Sequence, residues 1–101
     1  MEFEWDEAKA VWNKGKHGVP FEYAGRIFLD PHRLDTEDSR RNYNEERRIA
    51  LGTIGERVFV VVYTPREKMI RLISARKANE REQRQYDEAL SSRSEEPQAL
   101  D

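Results

Sequence analysis

Val58-Phe59-Val60-Val61-Val62-Tyr63 is apolar at six successive positions, and a strand distributes such a run over both of its faces. A strand of that kind must be covered by protein on each side, at least along part of its length. At 101 residues the chain has material for one modest core and not for two. That strand is therefore expected at the centre of a small two-layer domain, with the rest of the chain arranged to cover it.

The flanking segments extend the pattern. Arg47 to Ile54 alternates as a strand does, with Arg47, Ile49, Leu51 and Thr53 on one side and Arg48, Ala50, Gly52 and Ile54 on the other. Gly55-Glu56 supplies a turn, Pro65 to Glu67 another, and Lys68 to Ala75 reads as the third strand. Connections this short imply an antiparallel meander of Arg47–Ile54, Val58–Thr64 and Lys68–Ala75, because parallel pairing needs a long crossover. By the same alternation Arg71 shares a face with Met69, Ile73 and Ala75, and Arg76 shares one with Ile70, Leu72 and Ser74. The two arginines are thus expected on opposite sides.

Helices account for much of the remainder. Asp6 is placed to cap a first helix in which Ala8, Val11 and Trp12 fall at helical spacing, and Lys14, Lys16 and His17 crowd its negative end before Gly18. Pro20 opens a second helix with Phe21, Ala24, Ile27 and Phe28 on one face, closed by Asp30-Pro31. His32 to Asn44 is polar and without period, an ordered loop or a weak edge strand. Lys77 to about Leu90 reads as a third helix with sparse apolar contacts at Ala78, Tyr86, Ala89 and Leu90, and Ser91 to Asp101 is expected to be a disordered tail. The predicted fold class is α+β: three or four antiparallel strands, two N-terminal helices and one C-terminal helix, in one domain over residues 1–90. Trp5 and Trp12 are expected to anchor the core.

Charge is uneven. The net charge is −2, and Ser91 to Asp101 accounts for all of it with Glu95, Glu96 and Asp101 against Arg93. Between Arg66 and Arg84 seven cations face three acids, an excess that steers a polyanion if it falls on one face and is otherwise a solvated strand-and-helix surface. Cysteine is absent, which removes disulfides, thiolate metal sites and thiol nucleophiles. Two histidines in unlike settings make no metal site, and no His-x-x-x-His or carboxylate cluster completes one. No cofactor is implied. The acidic start Met1-Glu2-Phe3-Glu4-Trp5-Asp6 has no apolar run behind it, and no segment reaches transmembrane length, so a cytoplasmic location with no membrane partner is expected.

An ordered set of fragments then carries a resemblance. Phe3-Glu4-Trp5-Asp6-Glu7-Ala8-Lys9-Ala10, Asn13, Lys16-His17-Gly18-Val19, Phe21-Glu22-Tyr23-Ala24, Phe28, Asp30-Pro31, Glu45-Glu46-Arg47, Gly52, Val61-Val62-Tyr63-Thr64, Arg71-Leu72-Ile73-Ser74-Ala75-Arg76-Lys77-Ala78 and Tyr86 together resemble the BrnT toxin family, over residues 3 to about 88. The chain departs from many relatives at Arg40-Arg41-Asn42-Tyr43-Asn44, where they place a His or a Gly just ahead of Glu-Glu-Arg, and at Pro20, where they often have Ser. The resemblance implies a RelE-like fold and a ribonuclease toxin of a type II toxin–antitoxin pair that arrests growth. It also implies neutralisation by a ribbon-helix-helix antitoxin of the BrnA kind in a hetero-oligomer, through which operator DNA is bound.

RNA cleavage without a metal needs a proton taken from the 2′-hydroxyl, charge stabilised on the phosphate, and a proton given to the departing 5′-oxygen. Arginine suits the second need because its planar fork grips phosphate oxygens and stays charged. Arg66, Arg76 and Arg47 are the expected phosphate site, with Arg76 favoured because it stands where strand passes to helix, beside helix-start amides. For Arg71, as for each arginine, a salt bridge in the service of structure is the competing role.

His17 is the candidate proton shuttle, and the alternative for it is an imidazole bonding the last carbonyls of its helix. Lys14 and Lys16 are expected to extend the RNA track, with Arg71 and Tyr63 also meeting RNA, though Tyr63 equally suits the core as the last aromatic of its strand. Glu46 either acts as a base or orients its arginine neighbours. His32 reads as plain surface. The leading expectation is a metal-independent endoribonuclease acting on single-stranded RNA. The rival is a binding module for nucleic acid or an antitoxin, with no chemistry of its own.

Overall fold

The computed structural model describes residues 1–95, with side chains through Arg93. Five strands form one mixed sheet in the order β1-β5-β4-β3-β2: β1 (Glu2–Glu4), β2 (Leu34–Glu37), β3 (Arg48–Ile54), β4 (Arg57–Pro65) and β5 (Met69–Lys77). Helix α1 (Glu7–His17), helix α2 (Phe21–Ala24) with a 3-10 continuation over Gly25–Leu29, and helix α3 (Glu80–Glu95) complete the α+β fold. The β3–β4–β5 meander stands as expected, and β4 is central.

Two edges correct the expected three- or four-stranded antiparallel sheet. β1 pairs in parallel with β5, Phe3 opposite Ile70, and β2 pairs antiparallel with β3 out of the segment that reads as loop or weak edge strand. Glu-Phe-Glu and Leu-Asp-Thr-Glu are too short to show a period, so only pairing to a neighbour defines them.

The two faces of β4 are covered by different partners. Phe59, Val61 and Tyr63 pack with Phe21, Ala24, Ile27 and Phe28 of the N-terminal helices, while Val58 and Val60 pack with Leu51, Ala78 and Tyr86 under α3. Capping is as the sequence implies: Asp6 accepts from the Lys9 amide at 3.0 Å, and Gly18, at φ 73°, returns its N–H to Lys14 O. The second helix tightens into 3-10 geometry at Gly25, where the Phe3 ring would stand 3.1 Å from any Cβ. The glycine lets β1 close onto that helix.

Three details position the rest. Where β1 stops, the buried Asn13 takes over the edge of β5: Nδ2 donates to Ala75 O at 2.8 Å and Oδ1 accepts from Ala75 N at 3.1 Å. Asp30, also buried, accepts from His32 N, from Thr53 N and Oγ1, and from the Tyr86 hydroxyl, and so ties α3 to β3. α3 runs through Glu95, so the boundary expected after Leu90 is too early, and the remainder of the expected tail, residues 96–101, lies outside the described residues. Of the two tryptophans, Trp5 is partly buried and meets Phe21 edge-on at 5.9 Å. Trp12, expected in the core, is 60% exposed.

Candidate nucleic-acid site

The site begins with an irregularity in β5. Val62 is opposite Ser74 but Tyr63 is opposite Leu72, so Ile73 is an extra residue, a β-bulge that shifts the alternation by one. Arg71, opposite Thr64, and Arg76, opposite Val60, therefore lie on the same face as Ser74. The expectation of opposite faces is overturned, because it assumed an unbroken period of two. Ile49, opposite Val62, lies on this face too, and by the same alternation Arg47 leaves the chain just ahead of β3 towards it.

Around Arg76 the face is hollowed. A groove of about 420 Å³ is lined by Arg40, Ile49, Val60, Val62, Ser74, Arg76, Asn79, Arg81 and Glu82. Its floor is apolar sheet and its rim is cationic. Arg76 is held by a fork from α3, Nη1 and Nη2 each 2.8 Å from the Glu82 carboxylate, and the pair pushes the Arg76 pKa up and the Glu82 pKa down. Glu82 also accepts from the Asn79 amide, while Asn79 Oδ1 accepts from the Glu82 amide, a reciprocal cap. Two of the helix-start amides expected to meet phosphate are thereby already used.

About 13 Å along the sheet, the span from Val60 to Thr64, a second set alternates in charge. Arg47 Nη2 is 3.1 Å from Glu45, Arg66 Nη2 is 3.8 Å from Glu45 and its Nε 3.5 Å from Glu4, and Arg71 Nη1 is 3.5 Å from Glu4. Two carboxylates thus link three guanidiniums. Glu45 is held below its usual pKa, first by the Arg47 hydrogen bond. The Arg66 and Arg71 side chains stay 49% and 32% exposed and that of Arg76 39%, so all three remain open to a competing anion. Arg47 is more enclosed, its guanidinium 3.9 Å over the Tyr43 ring and its Nε buried without a partner among the described residues.

The loop between β2 and β3 supplies what sequence reasoning missed. Asp38, with its side chain fully buried, accepts from Arg40 N and Nε, from Arg40 Nη2 at 2.7 Å and from Tyr43 Oη, which holds its carboxyl down at about 2. Its amide donates to Arg47 O at 2.7 Å. One aspartate thus folds the loop and brings Arg40 to the groove opposite Arg76. Asp-Ser-Arg has the local look of an aspartate turn, but no periodicity marks it.

The other expected residues divide. His17 closes α1, partly buried, and its pKa lies below 6.5 through burial, then the charges of Lys16 and Arg76. The neutral imidazole is thereby favoured, and the ring feels the Arg76 charge although it does not line the groove. Lys14 and Lys16 are exposed on α1 and line no part of the groove.

Tyr63 does not meet the groove at all. It is 6% exposed, edge-on to Phe28 at 4.9 Å, with its hydroxyl on Asp35 and its pKa pushed up to about 12, first by burial. Its expected place at the RNA surface is corrected to the core. Glu46 pairs with Arg48 at 3.2 Å rather than with Arg47, and an exposed ion pair of that kind contributes little to stability.

Among the described residues no helix is long and apolar enough to cross a membrane. No curated protein matches the chain. A family model described as "Ribonuclease toxin, BrnT, of type II toxin-antitoxin system" matches residues 5–82, the stretch from the Trp5 corner through the Arg76–Glu82 fork. On that match, this chain belongs to the BrnT family of ribonuclease toxins of type II toxin–antitoxin systems.

Proposed function

We propose that the chain is a metal-independent endoribonuclease with a RelE-like arrangement, which cuts single-stranded RNA in the groove between α3 and the open face of the sheet. The observation that carries this reading is the Ile73 bulge, which aligns Arg71, Ser74 and Arg76 on one solvent-open face. A scissile phosphate enters at Arg76 and Arg40, whose guanidiniums take the charge that grows on its oxygens. The neighbouring phosphates run towards Arg71, Arg66 and Arg47. Neutral His17 accepts the 2′-hydroxyl proton as the 2′-oxygen attacks phosphorus. The bond to the 5′-oxygen breaks and that oxygen takes a proton from solvent, leaving a 2′,3′-cyclic phosphate.

Metal independence is part of the proposal because arginines and an imidazole can together supply the charge stabilisation and the proton transfer that the reaction needs. In the cell, RNA cleavage of this kind stops translation and growth in the cytoplasm. Neutralisation would come from a ribbon-helix-helix antitoxin in a hetero-oligomer able to bind operator DNA, by covering the cations of this face.

Mapping RNA ends after controlled expression tests the reading. New ends carrying cyclic phosphate are expected from the parent and also from purified protein in chelator, with a loss of about 100-fold or more for Arg76→Ala. Cleavage that stops in chelator, or identical ends from parent and Arg76→Ala, would overturn it. The carboxylate partners on Arg40, Arg47, Arg66, Arg71 and Arg76 favour a second reading, a binding module in which RNA exchanges with Glu45 and Glu82. Under that reading Arg76→Ala weakens binding and no product forms with either protein.

A further inference from the structure

Folding does not account for Trp12. Ala10, Asn13 and His17 form the inward stripe of α1, while Lys9, Trp12 and Lys16, at helical spacing, form an outward one. The indole is 60% exposed, beside a Val11 that is 71% exposed. Yet it is not without neighbours: the His17 ring stands edge-on at 6.3 Å and 83°, and the Lys16 ammonium lies 4.8 Å from the ring centroid.

A nucleotide offers the complement to both groups at once, a π face for the indole and a phosphate for the ammonium it displaces. The surrounding charge selects a polyanion. Lys9, Lys14 and Lys16 are all exposed on α1, Glu7 is its one acid, and His17, which touches the indole, also feels the charge of Arg76.

We propose that Trp12 is the stacking platform for an unpaired base of the RNA strand, next to the nucleotide being cut, with Lys16 on that base's phosphate. The strand then crosses from α1 past His17 into the groove, and the base that stacks best on Trp12 biases where cutting occurs. This rests on the nuclease reading but is testable apart from it.

The test uses a short 2′-O-methyl RNA, which binds without being cut, and a Trp5→Phe protein in which Trp12 is the single indole. Saturable quenching of that fluorescence is expected, with Trp12→Ala weakening affinity about 5- to 100-fold, Trp12→Phe recovering part, and the loss in cleavage assays falling on KM more than on kcat. Quenching by a protein that cuts nothing would sustain the platform while removing the nuclease. Cleavage and RNA affinity equal to the parent in Trp12→Ala would remove the platform alone. So would a Trp12→Ala protein that keeps RNA affinity but no longer holds a co-expressed antitoxin, since the indole would then belong to a protein interface.

Discussion

Asn13 sits in α1 yet serves β5. Its amide gives Nδ2 to both Val19 O and Ala75 O and receives the Ala75 N–H, so three backbone groups depend on one side chain. Asn13→Leu keeps the volume and strands those groups, and a loss of about 2–4 kcal/mol in urea unfolding is expected. Asn13→Asp should fare no better, because a carboxylate cannot donate to either carbonyl. Periodicity gives no hint of this, since a polar residue on the inward stripe of a helix reads as a defect until its partner strand is known. The arginines are the opposite case: their chemistry is legible from residue type alone, whereas their carboxylate partners range from near neighbours, as Glu45 is to Arg47, to the far end of the chain, as Glu4 is to Arg66 and Arg71. His17 carries a pH prediction. Because the base must be neutral and its pKa is lowered, cleavage should rise with pH through an inflection below 6.5 and then stay level, and His17→Gln should abolish that limb.

At the scale of elements, β3, β4 and β5 are legible because their apolar content fixes both faces, and α1 because Asp6 and Gly18 mark its ends. β1 and β2 are not, each being defined by the strand it joins. The bulge is the costliest omission, since one extra residue reverses every assignment on one side of it. Helix α3 is marginal by composition, and its docking depends on Tyr86 reaching Asp30 and on a small apolar cluster. Tyr86→Phe should cost about 1–2 kcal/mol and should raise amide hydrogen exchange in α3 more than in β4. Glu82→Ala removes both the reciprocal cap and the Arg76 fork. It should lower the melting temperature while tightening RNA binding at low salt, a pairing of signs that general loss of structure would not produce.

For the whole molecule, the buried and paired carboxylates set the acid limit. Asp30, Asp38, Glu45 and Glu82 all have pKa values below their ordinary ones, so the folded state binds fewer protons than the unfolded chain and their stabilisation is complete above the ordinary carboxylate range. It should decline as pH falls through the folded values, with Asp38 at about 2 the last to go, and urea midpoints measured from pH 6 downward check this. The interlocked arrangement of Arg47, Glu45, Arg66, Glu4 and Arg71 has a different consequence. Each of these three cations is muted by a near anion, so from more than a Debye length away, about 8 Å in physiological salt, this part of the face exerts little pull of its own on nucleic acid. Under the proposed function, a strand has to lie against the sheet before its phosphates trade places with Glu45 and Glu4, which would leave this set silent at a distance and selective on contact.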